Sequence, residues 1–213
     1  MTFDTNDLAI AERYKLLIGC IGPRPIAVVS TVSTEGKPNL APFSFFAGVG
    51  SNPMTLLFCP ANDAEGHEKD SLRNAKPIEE GGTGQFAVCV ATESIIRPVA
   101  VAAEPLPFGE SEYELASLTP IPCEAIKPPR VKESPVCFEC ETTQVIRTNP
   151  GQPAGGNVIM GRVLRVHVDD ALVNERMHID QGAIELVGRM GGLSYCFTRD
   201  RFDLKPGRSS LES

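Results

Sequence analysis

The feature that most restricts this chain is a pair of strand-like runs joined by a polar turn near its start. IAVVSTV (26–32) is apolar and largely β-branched at successive positions, the pattern of a strand covered on both faces. STEGKPN (33–39) has the glycine and polar residues of a hairpin turn. LAPFSFFAGV (40–49) then returns as an aromatic strand, and its Pro42 marks an edge, an end or a bulge. Further runs of the same kind follow at NPMTLLFCP (52–60), GQFAVCVAT (84–92), VCFECETTQVI (136–146), NVIMGRVLRVHV (157–168) and LSYCFT (193–198).

Helical signals are few. A mildly periodic segment precedes Ile18, KDSLRNAK reads as a short helix with Asp70 or Ser71 as its N-cap, and a third stretch runs to Ala103 with Pro98 starting or kinking it. Glycine and proline (19 and 18 of 213 residues) exceed the roughly 12% of ordinary usage. Their spread suggests many short elements joined by turns. Six or more strands, few helices and no βαβ alternation predict a mainly β, antiparallel barrel, with a sandwich as the alternative. The length predicts one domain over 1–213. Within it, 104–135 carries seven prolines and reads as a surface excursion without regular structure, and 204–213 reads as an exposed tail.

A net charge of −7 argues against nonspecific binding to nucleic acid or to an anionic membrane, both of which need excess positive charge. The N-terminal residues do not have the pattern of a signal peptide, and no run reaches the ~18 apolar residues of a membrane helix. Seven cysteines, odd in number and mostly set in apolar runs, fit thiols in a reducing cytoplasm better than a disulfide framework.

Few reactive constellations are present. Cys137 and Cys140 form C-x-x-C inside a strand, where residues three apart point to opposite faces, so the two thiols are not expected to pair or share a metal. Three histidines and scattered serines complete no G-x-S-x-G elbow and no H-E-x-x-H pair. Donors concentrate in two places instead. Ser30, Thr31, Ser33 and Thr34 crowd the end of the first strand, with Asn39 and Ser44 on the returning one; Lys69, Asp70 and Ser71 open the short helix. Such groups hold a phosphate or an oxygen-rich ring without much net charge, and they serve equally as a turn and a capped helix.

GPRPIAVVSTVSTEGKPNLAPFSFF (22–46) resembles the signature of the flavin reductase-like, FMN-binding split-barrel family, in its flavoredoxin-like branch. The resemblance continues through KDSLRN (69–74), GQFAVCV (84–90), PPRVKESPVCFECE (128–141), VLRVHVDD (163–170) and VGRMGGLSYC (187–196). It implies a homodimer of six-stranded antiparallel split barrels with FMN near the subunit interface, NADH or NADPH as hydride donor, and a downstream oxygenase or other electron acceptor. No catalytic side chain is then needed, because the flavin carries the chemistry.

By that resemblance Ser30, Thr31 and Val32 border the flavin and its ribityl chain. Asn39, Ala41, Pro42, Ser44, Phe45 and Phe46 line the opposite strand, and Lys69, Ser71 and Asn74 hold the phosphate end. Arg189 meets flavin or a substrate anion, and His167, otherwise a solvated strand-face histidine beside Arg165, contacts the nicotinamide. Arg24, between two prolines, fits an interface or a ligand contact. Ala47 departs from the family pattern, in which an Asn frequently follows the aromatic pair. Other readings are a noncatalytic flavin-binding, storage or sensor protein and a relative of the split-barrel pyridoxamine-phosphate oxidases.

Overall fold

The doubly apolar run becomes β1 (Ala27–Val32), buried at every position. The turn after it delivers β2 (Pro38–Phe43) as an antiparallel partner, with Ala27 opposite Phe43 and Thr31 opposite Asn39. The computed structural model describes residues 1–211. In it the aromatic run is not one strand: it breaks at Ser44 and Phe45 and resumes as β3 (Phe46–Ser51), paired with β4 (Met54–Phe58). After β5 (Gln85–Val90) and a two-residue ribbon of β6 (Pro120–Ile121) and β7 (Arg130–Val131) come the long strands β8 (Val136–Arg147) and β9 (Asn157–Val168). The main sheet is antiparallel with the order β2-β1-β5-β8-β9-β4-β3. It has seven strands where six were expected, because the run 40–49 supplies two.

That order closes the sheet. β2 and β3 are its two outermost strands, yet only Ser44 and Phe45 separate them. A link of three residue steps spans about 10 Å at most, so the sheet rolls until its edges approach, and no strand ladder joins them. The result is a split barrel. The run expected as a strand at 193–198 lies outside it: β10 (Val187–Arg189) and β11 (Tyr195–Phe197) form their own ribbon.

Inside the barrel, Ala27, Val29, Leu56, Phe58, Phe86, Val88, Cys140 and Ile159 form one core, with Phe43 and Phe46 packed against it. The glycine at Gly161 is required there, since a Cβ would sit 2.4 Å from the Phe86 ring. Helix α2 (Asp70–Ala75) turns Leu72 and Ala75 into the same core. The N-cap is Lys69, not Asp70 or Ser71, and no side chain bonds the free amides of the first turn.

The outer face of β1, β5 and β8 is also covered. Val28, Ala87, Cys89 and Cys137 pack under Val99 of α3 (Ile96–Val101), Tyr113 of α4 (Glu112–Leu115), and Leu118, Ile126 and Val131. One expectation changes here. The proline-rich segment 104–135 is a cover with its own helix and ribbon, not an irregular excursion. The apolar surface on both faces of β1 and β5 is covered within the chain. Exposed apolar residues occur instead on α1 (Ile10–Cys20), as a stripe of Ile10, Tyr14 and Leu17 continuing to Ile21. Of the expected tail 204–213, residues 204–211 are mostly exposed around a short 3-10 turn, and 212–213 lie outside the described residues.

Arg24 is structural. It is 4% exposed, and its guanidinium donates to the carbonyls of Ile18, Ile21 and Met190 and to Ser44 Oγ at 2.6–3.1 Å. It ties the end of α1 to the barrel and to the segment after β10.

β2 is an edge strand whose outward main chain offers few donors. Leu40 N–H points away from β1 and donates to Glu112 Oε2 at 2.8 Å. By strand alternation the other outward positions are Pro38 and Pro42, which have no N–H. Burial pushes the Glu112 carboxyl above its ordinary range, and the Asp70 charge adds to this. The folded state therefore holds a proton that the unfolded chain releases, and stability falls as pH rises through the interval between the ordinary and raised values. Glu112→Gln, which keeps an acceptor for Leu40 N–H, should remove that decline. Glu112→Ala should cost about 1–3 kcal/mol by orphaning the amide. Urea melts across pH measure both effects.

Candidate functional site

The free side of β2 forms one wall of a groove of about 380 Å³. Asn39, Ala41, Pro42 and Phe43 supply the strand wall. His67, Glu68, Lys69, Asp70, Ser71 and Arg73 supply the end, from the loop before α2 and its first turn. Ala102 through Leu106, Phe108 and Glu112 close the far side. A second groove, about 240 Å³, shares Pro42 and Ala103 with the first and adds Tyr14, Ser44, Arg189 and Tyr195. The two grooves adjoin at Pro42 and Ala103.

A buried polar knot fixes the strand wall to the helix. Asn39 Nδ2 donates to Thr31 Oγ1 (3.3 Å) and to Ser71 Oγ (3.2 Å), and Asn74 Nδ2 donates to the same Thr31 oxygen (3.1 Å). All four side chains are nearly inaccessible, so the cost of burying them is offset by mutual hydrogen bonds. Only Asn39 and Ser71 of the four reach the groove. Thr31 and Asn74 stand behind it and position them.

The charges are unevenly engaged. Glu68 is drawn away by Lys76 (3.0 Å) and Arg147 (2.7 Å); burial alone would raise its carboxyl, but these cations hold it below the usual range. Asp63 organises its loop by accepting from the amides of Glu65 and His67. Burial pushes the Asp70 carboxyl up despite Arg73 at 3.7 Å. Arg73 lies 3.6 Å from the centre of the Phe108 ring, a close cation–π contact across the groove. Lys69 is exposed and has no ion-pair partner among the described residues. The groove thus carries one uncommitted cation, Lys69, a second cation, Arg73, held by an aromatic ring and by Asp70, and the carboxyls of Asp63, Glu68, Asp70, Glu104 and Glu112.

The structure brings together Asn39, Ala41, Pro42, Lys69 and Ser71 of the expected site, with Ser44 and Arg189 in the adjoining groove. Arg189 donates to Gly192 O at 2.7 Å and stacks on Tyr195. The others are placed elsewhere. Ser30 and Val32 are buried on the outer face of β1, on the side of the cover. Phe46 packs against the barrel interior and Phe45 lies near Arg24.

His167 does not line the cleft and is not a solvated strand-face side chain. It is 18% exposed and pairs closely with Glu139, which is fully buried. It faces a separate groove with Arg130, Lys132 and Asp169. Cys137 and Cys140 fall on opposite faces, as the strand period requires, and join different cores. Arg73, Phe108 and Glu112 were not singled out in the sequence. Arg73 belongs to KDSLRN (69–74), while Phe108 and Glu112 lie in the proline-rich segment 104–135.

Residues 20–186 match the family described as "Flavin reductase like domain". Among solved structures, nitrilotriacetate monooxygenase component B from Bacillus cereus is 36% identical, with a TM-score of 0.88 and coverage of 96% of this chain and 98% of that one. The 2-nitrobenzoate 2-nitroreductase NbaA of Pseudomonas fluorescens is 26% identical, with a TM-score of 0.84 over 98% and 97% of the two chains. A protein with a split barrel domain from Shewanella frigidimarina NCIMB 400 shares the fold at 22% identity, with a TM-score of 0.79 over 97% and 99%. The match over residues 20–186 covers most of the chain, which therefore belongs to the flavin reductase-like domain family.

Proposed function

We propose that this chain is an FMN-binding oxidoreductase, either an NAD(P)H:flavin reductase or a flavoredoxin-like electron carrier. The observation that carries the reading is the groove beside β2, because its residue chemistry suits the two ends of FMN in a chain of this family. Its volume of about 380 Å³, extended by the second groove, falls within the about 300–1,000 Å³ usual for small-molecule sites.

Lys69 and Arg73 would hold the phosphate end, and Ser71 and Asn39 the polar chain. Ala41 and Pro42 offer a flat apolar wall to a ring, with Ser44 and Arg189 at its far end. Bound FMN would supply hydride and electron transfer, fed by NADH or NADPH. The chain's residues bind and orient it and screen it from water, and Thr31 and Asn74 keep Asn39 and Ser71 in place.

The partner in assembly is a second copy of the chain. The apolar stripe on α1 and the exposed Tyr195 and Phe197 of β11 support this, since such residues cover themselves in a symmetric interface. The B. cereus protein is a monooxygenase component by name, and by that likeness the acceptor of reduced flavin here is an oxygenase or another redox protein. The seven cysteines, all free thiols, suit a reducing cytoplasm.

Three measurements test these statements. Anaerobic NADH or NADPH should bleach the visible absorbance of the FMN-loaded protein; FMN that binds but never bleaches would favour a storage or sensor role, and failure to bind FMN would overturn the reading. Lys69→Ala should weaken FMN by about 10- to 150-fold, the worth of one charge-assisted contact, and leave riboflavin unchanged; equal losses for both ligands would remove the phosphate from this end. Light scattering should report a dimer, and a folded 22.9 kDa monomer at low micromolar concentration would contradict the assembly.

A further inference from the structure

Three thiols meet on the outer face of the sheet, away from both grooves at β2. Cys89 and Cys137 face each other as a direct antiparallel pair across β5 and β8, and both are buried in the outer core. The Cβ atoms of such a pair stand about 4.5–5.5 Å apart. Cys123, half-buried in the cover, packs on the same cluster.

Glu139 explains why Cys123 is held there. It lies two residues from Cys137 on β8 and so points to the same face. Its carboxylate oxygens accept the amides of Glu124 at 2.8 Å and Ala125 at 2.6 Å. The two residues after Cys123 are thus pinned to the strand that carries Cys137. Cys137 thus has Cys89 opposite it on β5 and Cys123 packed on the same cluster.

We propose that Cys123 and Cys137 form a reversible disulfide when the protein meets hydrogen peroxide, which makes this cluster a redox-modification site. Access sets the order of events. Cys137 is 1% exposed, whereas Cys123 is partly open to solvent. Contact with the Cys123 and Cys89 thiols, together with burial, also pushes the Cys137 thiol up and keeps it protonated.

Peroxide therefore meets Cys123 first. The Cys123 sulfur attacks one peroxide oxygen, an S–O bond forms, the O–O bond breaks, and water leaves. The Cys137 sulfur then attacks the sulfenic sulfur; an S–S bond forms, the S–O bond breaks, and its proton leaves with a second water. Two thiols are oxidised by two electrons, and one peroxide is reduced to two waters. Neither step involves a flavin, so the site stands independently of the proposed cofactor.

The test is to expose the full chain to hydrogen peroxide, alkylate the remaining thiols and map peptides without reduction. The expected result is a Cys123–Cys137 linked peptide, loss of alkylation at both residues, and recovery of both after dithiothreitol. Cys123→Ser should abolish the linked peptide, while Cys89→Ala, which leaves the reacting pair intact, should retain it. The proposal is overturned if peroxide links Cys89 to Cys137 instead, or if it modifies only Cys20, Cys59 or Cys196. It is equally overturned if Cys123 stops at a sulfinic acid with Cys137 still free. Circular dichroism of each variant shows that it is folded before its peptides are mapped.

Discussion

Phe43 ends β2 on one edge of the sheet and Phe46 begins β3 on the other. With about 3.5 Å of reach per residue, the backbone between them holds those edges together. The remaining architecture follows from that restraint. A seven-stranded sheet held at its two edges must enclose a volume, and the aromatic rings on either side of the link help to fill it. Phe43 and Phe58 lie 5.3 Å apart between ring centres, and Phe58 and Phe86 5.1 Å, within the range where tilted and edge-on pairs attract. Interior space is tight enough that β9 passes Phe86 only as glycine. The outer face then needs a separate cover, which the segment 104–135 provides.

The cleft lies where this closure leaves main chain uncovered. β2 pairs on one side only, so its free side becomes a wall when α2 plugs the barrel end and the proline-rich cover folds over. The knot of Thr31, Asn39, Ser71 and Asn74 makes wall and plug one rigid unit. Exposed Lys69 lies outside that unit, at the open end of the cleft. That arrangement suits a site built to hold a large preformed ligand, since the polar groups behind the wall need no reordering on binding.

Local pattern was enough to read most strands. The apolar runs at 26–32, 84–92, 136–146 and 157–168 each became a strand of the main sheet within a few residues of the expected limits. The opposite faces of Cys137 and Cys140 followed from the period of a strand. Long-range geometry was not legible. Nothing in FSFF says that the chain changes edges there, and β10 and β11 pair with each other for reasons of packing. The cover was misread because proline marks turns well but says nothing about whether the residues between turns are buried; Tyr113 and Val131 are. The site divided in a similar way. Asn39, Lys69 and Ser71 reached the groove, while Thr31 and Asn74 were drawn behind it, a difference set by which face of β1 and α2 each side chain occupies. Arg24 gave no hint of its role, since its carbonyl partners lie on α1 and beyond β10.

The treatment of β2 also limits how molecules of this kind can associate. A free strand edge is a template on which another chain can add a strand, the usual first step of domain swapping and fibrillar aggregation. Here the outward row presents two prolines and one amide already engaged by Glu112, so an incoming strand finds no donor to pair with. The open side of the cleft can therefore remain accessible to a small ligand without inviting a polypeptide to dock there by its backbone. Any contact between copies would then fall on surfaces of side chains, where shape and apolar area decide the partner and a shifted register gains nothing.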